Sequence, residues 1–358
     1  MTRRSSSITI RDVAREAGVS VATVSRYINH NAPVSSEVAV RINKVMTGLR
    51  YTPHAVARHL ATRKTRAIGL ILNSMNYDFF APLLSGLEEI VAENEHNLLV
   101  ATYRSDTRQS FPPPIGPHNT DGVVVFADTL DDAHLTQWYQ LDFPVVLVHR
   151  TPPDALPIPC VTIENKTATQ SMINHLIEVH GRRRIVFMRG PEHQEDSRWR
   201  ELGYRAALEA HAIDYDERLV LNGGFDRDIA YEAMSAFIST NHVQFDAVFS
   251  GDDDSAVGTL RALQEARLSV PDQVSVVGFD DQHFSSFINP PLTTIQAPTE
   301  EVGRTAGRQL FQVLKGEQTD LITLLPTRIV IRVSCGCAQT LSEKKEVVSP
   351  KNVIHVVS

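Results

Sequence analysis

The 358-residue sequence is poor in cysteine and lacks long apolar segments, and each shortage excludes a class of protein. Cys160, Cys335 and Cys337 are its only cysteines, too few for the disulfide framework of a small secreted domain. No apolar run reaches the roughly 18 residues that a membrane-spanning helix needs. The first ten residues contain two arginines with no apolar block after them. We therefore expect no signal peptide, no membrane association and a cytoplasmic location.

Signature motifs of common enzymes are also missing. There is no Gly-x4-Gly-Lys-Ser/Thr phosphate loop, no Gly-x-Gly-x-x-Gly, no Gly-x-Ser-x-Gly and no His-Glu-x-x-His. Cys335-Gly-Cys337 is a lone Cys-x-Cys without a second pair at zinc spacing. Surface cysteines or an incidental pair are therefore favoured over a metal site. We expect no enzyme, no cofactor and no bound metal.

What the sequence does contain is an uneven distribution of charge. Residues 1–66 hold 12 Lys and Arg against 3 Asp and Glu, whereas the other 292 residues hold 23 basic and 39 acidic residues. A head of net charge +9 on a body of −16 is typical of a polyanion-binding module joined to a domain that does not contact the polyanion. The length and the 42% of apolar residues predict a globular chain of two or three domains.

Regularly spaced apolar residues in the basic head predict three short helices. Thr9 is a suitable N-cap for the first helix, and Gly18 is a suitable residue to end it. Ser20 is placed to cap a second helix over 21–29, and a third helix is predicted over about 35–49. Two short helices joined by a glycine-containing turn, with a third to complete the core, predict a helix-turn-helix.

The second of these helices is expected to enter the major groove of DNA. Arg26 can pair with guanine through two hydrogen bonds, Val21 and Ala22 can contact thymine methyl groups, and Thr23 and Ser25 suit phosphates. A plain three-helix core with solvated polar positions is the alternative, which the excess of positive charge disfavours. The candidate DNA contacts of the head are Ile10, Arg11, Ser20, Val21, Ala22, Thr23, Ser25, Arg26, Asn29 and Ser35.

A short segment after the head adds the candidate DNA contacts Ala57, Arg58 and Leu60. Pro53 suits the first turn of a helix, but the segment is too short to be a stable helix by itself in water. Leu60 can wedge between base pairs in a minor groove. It can equally pack onto the body as a linker leucine, and the residues alone leave both alternatives open.

After Arg66, near-continuous apolar strands alternate with helical segments, which predicts parallel sheets covered on both faces. Two such series predict an α/β body of two doubly wound lobes, and the carboxyl ends of their strands are the expected ligand site. The predicted division is a headpiece at 1–52, a hinge at 53–66, an N-lobe at about 67–163 plus 297–326, a C-lobe at about 164–296 plus 327–340, and a tail at 341–358.

Aromatic and charged residues follow several predicted strands. Taken one at a time they can be loop charges or helix caps; Asp252, for example, can simply begin the helix that follows it. Together they favour a cleft in which carboxylates and a guanidinium bind hydroxyls and an aromatic face stacks on a ring. The candidate ligand contacts are Phe79, Phe80, Arg198, Phe225, Asp252 and Asp280.

Two segments depart from regular α/β organisation. Residues 107–120 contain four prolines and a glycine, which predicts an irregular connection and a partly uncovered face on the N-lobe. The tail, 341–358, contains Pro350 and lacks leucine heptads, so no coiled coil is expected there.

Over nearly its whole length, to about residue 335, the sequence resembles the lactose/galactose/purine repressor family. The stretches that carry the resemblance are Thr9–Arg26, Tyr51–Pro53, Ala55–Leu60, Ile68–Leu70, Gly181–Ile185, Arg198–Tyr204, Asp253–Gly258, Val274–Asp281 and Pro290–Ile295. The resemblance implies a helix-turn-helix headpiece on a body like the periplasmic sugar-binding proteins. It also implies that Leu60 is the minor-groove wedge of a hinge helix.

The resemblance further implies roles for particular positions. Val21, Ala22 and Arg26 match base-reading positions. Phe79, Arg198, Phe225, Asp252 and Asp280 match positions that line the effector cleft, although Asp252 stands where the family often has asparagine. The expected function is that of a homodimeric transcription regulator, a repressor, that binds a near-palindromic DNA operator and is controlled by a small molecule. The family favours a carbohydrate effector, while a purine stacked on Phe225 remains an alternative.

Two functions from other classes compete with this interpretation. A solute-binding protein without a DNA role is disfavoured by the basic head and by the absence of a signal peptide. An enzyme on a doubly wound fold is disfavoured because no activated nucleophile or acid–base signature is found.

Overall fold

The computed structural model describes residues 8–29, 32–51, 65–74, 77–103, 111–153, 156–240 and 243–337. The chain divides into two compact units, residues 1–65 and 66–358, which we call the headpiece and the body. No helix within the described ranges is long and apolar enough to cross a membrane. The predicted hinge contacts Ala57, Arg58 and Leu60 and the tail 341–358 lie outside the described residues.

The headpiece consists of three helices, α1 (Ile10–Ala17), α2 (Val21–Asn29) and α3 (Ser36–Leu49). The Asp12 carboxylate accepts hydrogen bonds from the backbone N–H and the hydroxyl of Thr9, at 3.0 and 2.8 Å, and so closes the start of α1. Gly18 ends α1 in the left-handed region, at φ 62°. Ser20 Oγ accepts from the N–H of Thr23 at 3.1 Å at the start of α2. The predicted helix-turn-helix is confirmed.

The headpiece core is small and built from all three helices. Its fully buried members are Val13, Ala14, Ala17, Val24 and Ile42. Partly buried side chains such as Ile28 and Met46 surround them. Because α1 presents Ala14 and Ala17 to its neighbours, the helices approach closely without large side chains between them.

The body contains two six-stranded sheets, one in each lobe. The N-lobe sheet has the order β11-β5-β4-β3-β1-β2, and all its neighbouring strands are parallel. Its strands are β1 (Ala67–Leu72), β2 (Asn97–Thr102), β3 (Gly122–Phe126), β4 (Val145–Val148), β5 (Cys160–Ile163) and β11 (Ile322–Leu325). β1, β3 and β4 are buried along their whole length, as expected for parallel strands covered on both faces.

The C-lobe sheet has the order β12-β10-β9-β8-β6-β7. Its strands are β6 (Ile185–Arg189), β7 (Val220–Asn222), β8 (Ala247–Ser250), β9 (Ser275–Asp280), β10 (Thr293–Gln296) and β12 (Arg328–Val330). The pairs are parallel except that β12 runs antiparallel to β10 at the edge. That antiparallel edge strand is an addition to the purely parallel sheet that the sequence predicted.

Helices cover both faces of each sheet. The N-lobe carries α4 (Tyr77–Glu93), α5 (Asp132–Gln140) and α10 (Thr299–Leu314), and the C-lobe carries α6 (Lys166–His180), α7 (Glu195–Ala210), α8 (Arg227–Thr240) and α9 (Asp253–Glu265). In the C-lobe, Phe187 and Phe249 point toward Tyr204 of α7, whereas Val186 and Val248 point toward Met234 of α8. This alternation along β6 and β8 is the period-two pattern of a strand buried on both faces.

The chain passes between the lobes three times. β5 of the N-lobe leads into α6 of the C-lobe, β10 of the C-lobe leads into α10 of the N-lobe, and β11 of the N-lobe leads into β12 of the C-lobe. Each lobe is therefore assembled from separated parts of the sequence. Three covalent connections at one side of the interface permit a hinge motion of one lobe against the other.

The described part of the proline-rich connection, 111–121, contains no helix, as predicted. Ile115 instead inserts into the sheet face and is 4% exposed, against Val123 and Trp138. A Cβ on Gly69 of β1 would lie 2.2 Å from the Ile115 side chain, so this strand position has room only for glycine. One inserted isoleucine thus covers much of the face, but Leu99 of edge strand β2 stays 38% exposed.

Candidate functional site

The outward face of α2 carries the side chains predicted to read DNA bases. Val21, Ala22 and Arg26 are all exposed, and Val21 leaves 42% of its surface accessible. Thr23 is half-buried, and its hydroxyl lies 2.8 Å from the Ser20 hydroxyl. The opposite face of α2 is anchored by Val24, which is completely buried. α2 therefore presents two small apolar groups and a guanidinium from one rigid surface.

The remaining headpiece candidates occupy different environments. Arg11, Ser20 and Ser35 are exposed near helix starts, whereas Ile10 is partly buried against the headpiece core. Ser25 is half-buried on α2, and the side chain of Asn29 lies outside the described residues. All of these DNA contacts stay predictions.

The body has a cavity of about 560 Å3 between its lobes, at the carboxyl ends of β1, β3, β6, β7, β8 and β9. This size lies within the usual range of small-molecule sites, about 300–1,000 Å3. The N-lobe contributes Asn73, Ser74, Phe79, Phe80, Phe126, Asp128 and Thr129. The C-lobe contributes Pro191, His193, Gln194, Asp196, Arg200, Asn222, Gly224, Phe225, Asp226, Ile229, Asp252, Asp280 and Gln282.

The two lobes line the cavity with different chemistry. On the N-lobe side, Phe79, Phe80 and Phe126 pack edge to face, with ring centroids 4.9–5.9 Å apart. The C-lobe side is dominated by carboxylates around one guanidinium. A ligand between the lobes therefore meets an apolar aromatic wall on one side and hydrogen-bonding groups on the other.

Arg200 is the central polar group of the cavity and is only 3% exposed. Its Nε donates to Asn165 Oδ1 at 2.9 Å, and its Nη1 donates to the carbonyl oxygen of Gly251. The guanidinium carbon lies 3.6 Å from the centroid of the Phe279 ring, a cation–π stack that fixes its plane. Nη2 is left facing the carboxylates of Asp196 and Asp280, at 3.9 and 3.7 Å.

Asp280 and Asp252 are buried carboxyls at the ends of neighbouring strands. Burial raises the pKa of Asp280 well above its usual range, against the pull of Arg200. Its Oδ1 is buried without a hydrogen-bond partner, and its backbone adopts φ 109°, which is strained for a residue with a side chain. Burial also raises the pKa of Asp252 to about 6, although its Oδ1 accepts the N–H of Ser255 at 3.0 Å. An unpartnered buried oxygen on a strained backbone is typical of a ligand-binding position.

Asp196 links the cavity to the lobe interface. Its Oδ2 lies 2.8 Å from Nδ1 of His149, which follows β4 in the opposite lobe, and its Oδ1 accepts from the Asn165 side chain at 2.8 Å. Burial acts to raise the pKa of Asp196, but His149, Arg200 and Asn165 outweigh it and hold that pKa below its ordinary value. A second contact crosses the interface nearby, where Glu195 Oε2 accepts from the N–H and the hydroxyl of Thr151 at 2.6 and 2.9 Å.

Phe225 reaches the cavity because two glycines leave room for its ring. A Cβ on Gly190 would lie 2.2 Å from that ring, and one on Gly251 would lie 3.1 Å from it. Phe225 itself takes a left-handed backbone conformation, at φ 56°. The two glycines end the neighbouring strands β6 and β8, so replacing either with a larger residue would displace the ring.

The structure corrects the sequence prediction at Arg198. The sequence pattern predicts a helix over 200–210, which leaves Arg198 outside it, but α7 begins five residues earlier, at Glu195. Asp196 and Arg200 are one helical turn apart and share the buried face, whereas Arg198 is exposed and is absent from the cavity lining. The guanidinium in the cavity is therefore that of Arg200. The other predicted ligand contacts do line the cavity, and their binding to a ligand stays a prediction: Phe79, Phe80, Phe225, Asp252 and Asp280.

Several other cavity residues were missed by sequence reasoning. Asp128 and Asp196 lie at the inter-lobe cavity although neither was singled out. Asp196 is recognisable in retrospect because it lies four residues before Arg200 on one helix face. His149 gave no such signal, since its partner is 47 positions away in the sequence and in the other lobe.

The cysteines also differ from expectation. Cys335 was predicted as a surface or incidental cysteine, but it is completely buried, and Cys337 is half-buried. Both lie close to His175 and His180. Those histidines are separated from the cysteines by more than 150 residues, so the sequence spacing could not reveal the cluster.

Comparison with known proteins matches parts of both the headpiece and the body to known families. Residues 9–54 match the family described as bacterial regulatory proteins, lacI family, and residues 173–335 match a periplasmic binding protein-like domain. Over 315 residues, 87% of this chain, the sequence is 31% identical to the HTH-type transcriptional regulator RegA of Clostridium saccharobutylicum, 94% of which is covered. The chain belongs to the lacI family of bacterial regulatory proteins. It is a DNA-binding transcription regulator, and the relatives it matches are regulators rather than enzymes.

Solved structures agree with the described architecture. The transcriptional regulator CelR in complex with cellobiose is 29% identical, with a TM-score of 0.67, and the match covers 91% of this chain and 99% of that one. The Lac repressor dimer bound to operator and an anti-inducer is 24% identical, with a TM-score of 0.76 over 92% of this chain and 99% of that one. The latter similarity establishes the fold: a helical headpiece and a two-lobed α/β body.

Proposed function

We propose that this regulator is a repressor whose operator affinity is controlled by a neutral sugar bound in the inter-lobe cavity. The observation that carries the proposal is the charge of the lining, which includes five aspartates but a single arginine. Arg200 is already bound to Asn165 and Gly251, and the carboxylates of Asp196 and Asp280 face its remaining nitrogen. An anionic sugar acid or sugar phosphate would meet excess negative charge here.

A neutral sugar fits the same groups. Its hydroxyls can donate to the unpartnered oxygen of Asp280 and to Asp252, and can accept from Arg200. Its apolar ring face can pack on Phe225 or on the phenylalanines of the N-lobe wall. CelR, which resembles this chain over nearly its whole length, is known in complex with cellobiose. That relative supports a carbohydrate effector.

We infer that the protein acts as a homodimer in the cytoplasm. The Lac repressor, which shares this fold, is a dimer when bound to its operator. Two headpieces related by a two-fold axis would bind a near-palindromic site with the N-terminal part of each α2 in the major groove. The hinge over 53–66, including Ala57, Arg58 and Leu60, is proposed to form a helix on the DNA and to wedge Leu60 into the minor groove.

Control by the ligand is proposed to run through Asp196. This residue lines the cavity and also contacts His149 of the other lobe, so a ligand that bonds to it alters an interface contact. A ligand with different affinity for two lobe arrangements shifts their populations. By linkage, the sugar and the operator then change each other's affinity by the same factor.

The effector proposal is tested by thermal unfolding of the purified protein with neutral mono- and disaccharides, sugar acids, sugar phosphates and nucleobases. A ligand at about a hundred times its dissociation constant adds roughly 2.7 kcal/mol to native-state stability. We expect a shift only from neutral sugars, and its loss in Asp280→Asn, which keeps the side-chain shape but replaces the carboxyl group with an amide. A shift only from phosphorylated or acidic sugars, or only from a nucleobase, would contradict the proposal.

The DNA contacts are tested by fluorescence anisotropy with an operator found by selection from random duplexes. Arg26→Ala is expected to cost about 1–3 kcal/mol of operator binding and to relax specificity at one base pair. Leu60→Ala is expected to weaken operator binding without changing effector binding. Arg218→Ala is the control, because Arg218 is exposed on the body and pairs with Asp216. Unchanged affinity in Leu60→Ala would remove the hinge from the proposal.

A further inference from the structure

Two histidines and two cysteines converge at the end of the C-lobe, away from the cavity. His175 and His180 lie on α6, and Cys335 and Cys337 lie in the segment after β12. One ligand atom from each residue is available, and the four atoms all lie within 4.8 Å of one another. Among the described His, Cys, Asp and Glu side chains, these four are the ones close enough together to hold a metal ion.

The distances in this cluster match the edges of a tetrahedral zinc site. Zinc bound at about 2.0–2.1 Å to nitrogen and about 2.3 Å to sulfur places two nitrogens about 3.4 Å apart and a nitrogen and a sulfur about 3.6 Å apart. The Nε2 atoms of His175 and His180 are 3.3 Å apart. Cys337 Sγ lies 3.6 Å from the first and 3.4 Å from the second. Three ligand atoms therefore already form one face of the tetrahedron.

The backbone around the cysteines is held in place by hydrogen bonds. Ser275 Oγ donates to the carbonyl oxygen of Cys335 at 2.7 Å, and Ser334 Oγ donates to the carbonyl of Val276 at 2.6 Å. Thr293 Oγ1 lies 3.1 Å from Cys335 Sγ and can donate to it. A hydroxyl that donates to a ligating sulfur is a common feature around metal-bound thiolates.

Gly336 brings the two cysteines to the same side. It adopts φ 109°, a conformation that favours glycine, and a Cβ there would lie 3.1 Å from Nδ1 of His180. The glycine thus both turns the chain and lets it approach the imidazole ring.

We propose that His175, His180, Cys335 and Cys337 form a tetrahedral zinc site that fastens the segment after β12 to α6. Two sulfurs and two imidazole nitrogens in tetrahedral array are a ligand set that selects zinc among the common divalent cations. The site is structural rather than catalytic, because all four positions of the ion are filled by protein ligands. It is distinct from the effector cavity, none of whose lining residues it shares.

The proposal is tested on untagged full-length protein, reduced, freed of metal and then loaded with zinc. After desalting, mass spectrometry of the metal is expected to find one zinc per chain. Replacement by Co2+ is expected to give the visible bands of a tetrahedral cobalt site together with a thiolate-to-cobalt charge-transfer band. The cobalt spectrum of the unchanged protein reports both the tetrahedral geometry and the presence of thiolate ligands, before any variant is made.

Variants then assign the ligands. Cys337→Ser and His180→Gln are each expected to weaken zinc binding at least about tenfold, in the range by which disturbing a metal site lowers affinity. Zinc is expected to raise the melting temperature of the unchanged protein, and each variant is expected to abolish that rise. Cys160→Ala and His283→Gln are matched controls outside the cluster and should bind zinc as the unchanged protein does.

Three results would overturn the proposal. One is a zinc content far below one per chain at saturating zinc. Another is a cobalt spectrum without the thiolate band, which would place the metal elsewhere. The third is a peptide mass showing that Cys335 and Cys337 are joined to each other in the protein as isolated under reducing conditions. In the first case, the four side chains would be a hydrogen-bonded cluster only.

Discussion

Asp252 shows at the residue scale how a binding group can oppose folding. Its carboxyl caps α9, yet burial keeps its pKa near 6. A group whose pKa is higher in the folded than in the unfolded protein makes the folded state less stable as pH rises between those two values. At neutral pH the ionised Asp252 is therefore a stability cost, which a sugar hydroxyl donating to it would relieve.

The corresponding prediction concerns Asp252→Asn in the ligand-free protein. Asparagine caps a helix about as well as aspartate but carries no charge. The variant should match the unchanged protein near pH 4 and become more stable than it as pH rises toward about 6. Above that pH its advantage should be constant, on the order of 1–3 kcal/mol. Urea unfolding at a series of pH values measures the difference. A difference that is independent of pH would show that the carboxyl is not strained by burial.

At the residue scale, the sequence indicated the place of a side chain best where a strand end determined it. Phe225, Asp252 and Asp280 each follow a recognisable apolar strand, so their presence at the cavity followed from the α/β pattern. Arg198 was wrong because the start of α7 was placed five residues too late, and a helix turns by 100° per residue. His149 was unpredictable, because its contact with Asp196 depends on how the lobes close.

At the scale of helices, glycine determines how closely neighbours pack. α4 and α10 touch backbone to backbone, since a Cβ on Gly303 would lie 2.2 Å from the carbonyl oxygen of Leu83. A Cβ on Gly203 of α7 and one on Gly258 of α9 would likewise lie 2.3 and 2.1 Å from backbone oxygens of α6 and α8. Close packing at a glycine therefore occurs in one helix pair of the N-lobe and in two helix pairs of the C-lobe.

Gly303→Ala is therefore expected to destabilise the body. The added methyl must push α4 and α10 apart, and overpacking of this kind costs about 1–3 kcal/mol or more. Gly48→Ala on α3 is the control, because no heavy atom lies within 4 Å of the Cβ it would add. That control should stabilise its own helix by roughly 0.5–1 kcal/mol. Chemical denaturation, followed separately for headpiece and body, compares the two. Equal effects would mean that the helix crossing tolerates a methyl group.

Element prediction was good for strands and for helices with clear ends. Gly181 ends α6 in the left-handed conformation, as its position after an apolar stripe indicated. The sequence did not predict α5, α8 or α10 as helices, nor β10 or β11 as strands. The edge strand β12 was also missed, since three residues with mixed burial give no periodic pattern to detect. Its antiparallel direction depends on the chain returning from the other lobe, a long-range property.

At the scale of the whole molecule, charge is divided between the two functions. The head carries +9 and the remainder −16. The net charge of the headpiece favours contact with phosphates, and the net charge of the body opposes it. The basic head could be predicted from composition alone, and the two-lobed body from its alternation of strands and helices. The relative arrangement of the domains could not be predicted from the sequence, because no local pattern encodes it.

Salt should therefore separate the two binding activities. Operator affinity should fall on the order of a thousandfold or more between about 50 and 200 mM salt, because each phosphate contact releases bound counterions. Binding of a neutral sugar should hardly change over the same range. Anisotropy with labelled operator and calorimetry with the sugar measure the two. A steep salt dependence of sugar binding would indicate a charged effector.

The three passages of the chain between the lobes also bear on how the protein is made. The edge strands β11 (Ile322–Leu325) and β12 (Arg328–Val330) complete the N-lobe and the C-lobe sheets, respectively. The headpiece is contiguous in sequence and precedes the body, whereas each sheet lacks one edge strand until β11 and β12 have been synthesised. We therefore expect that the headpiece can fold before either sheet of the ligand-binding body has all its strands.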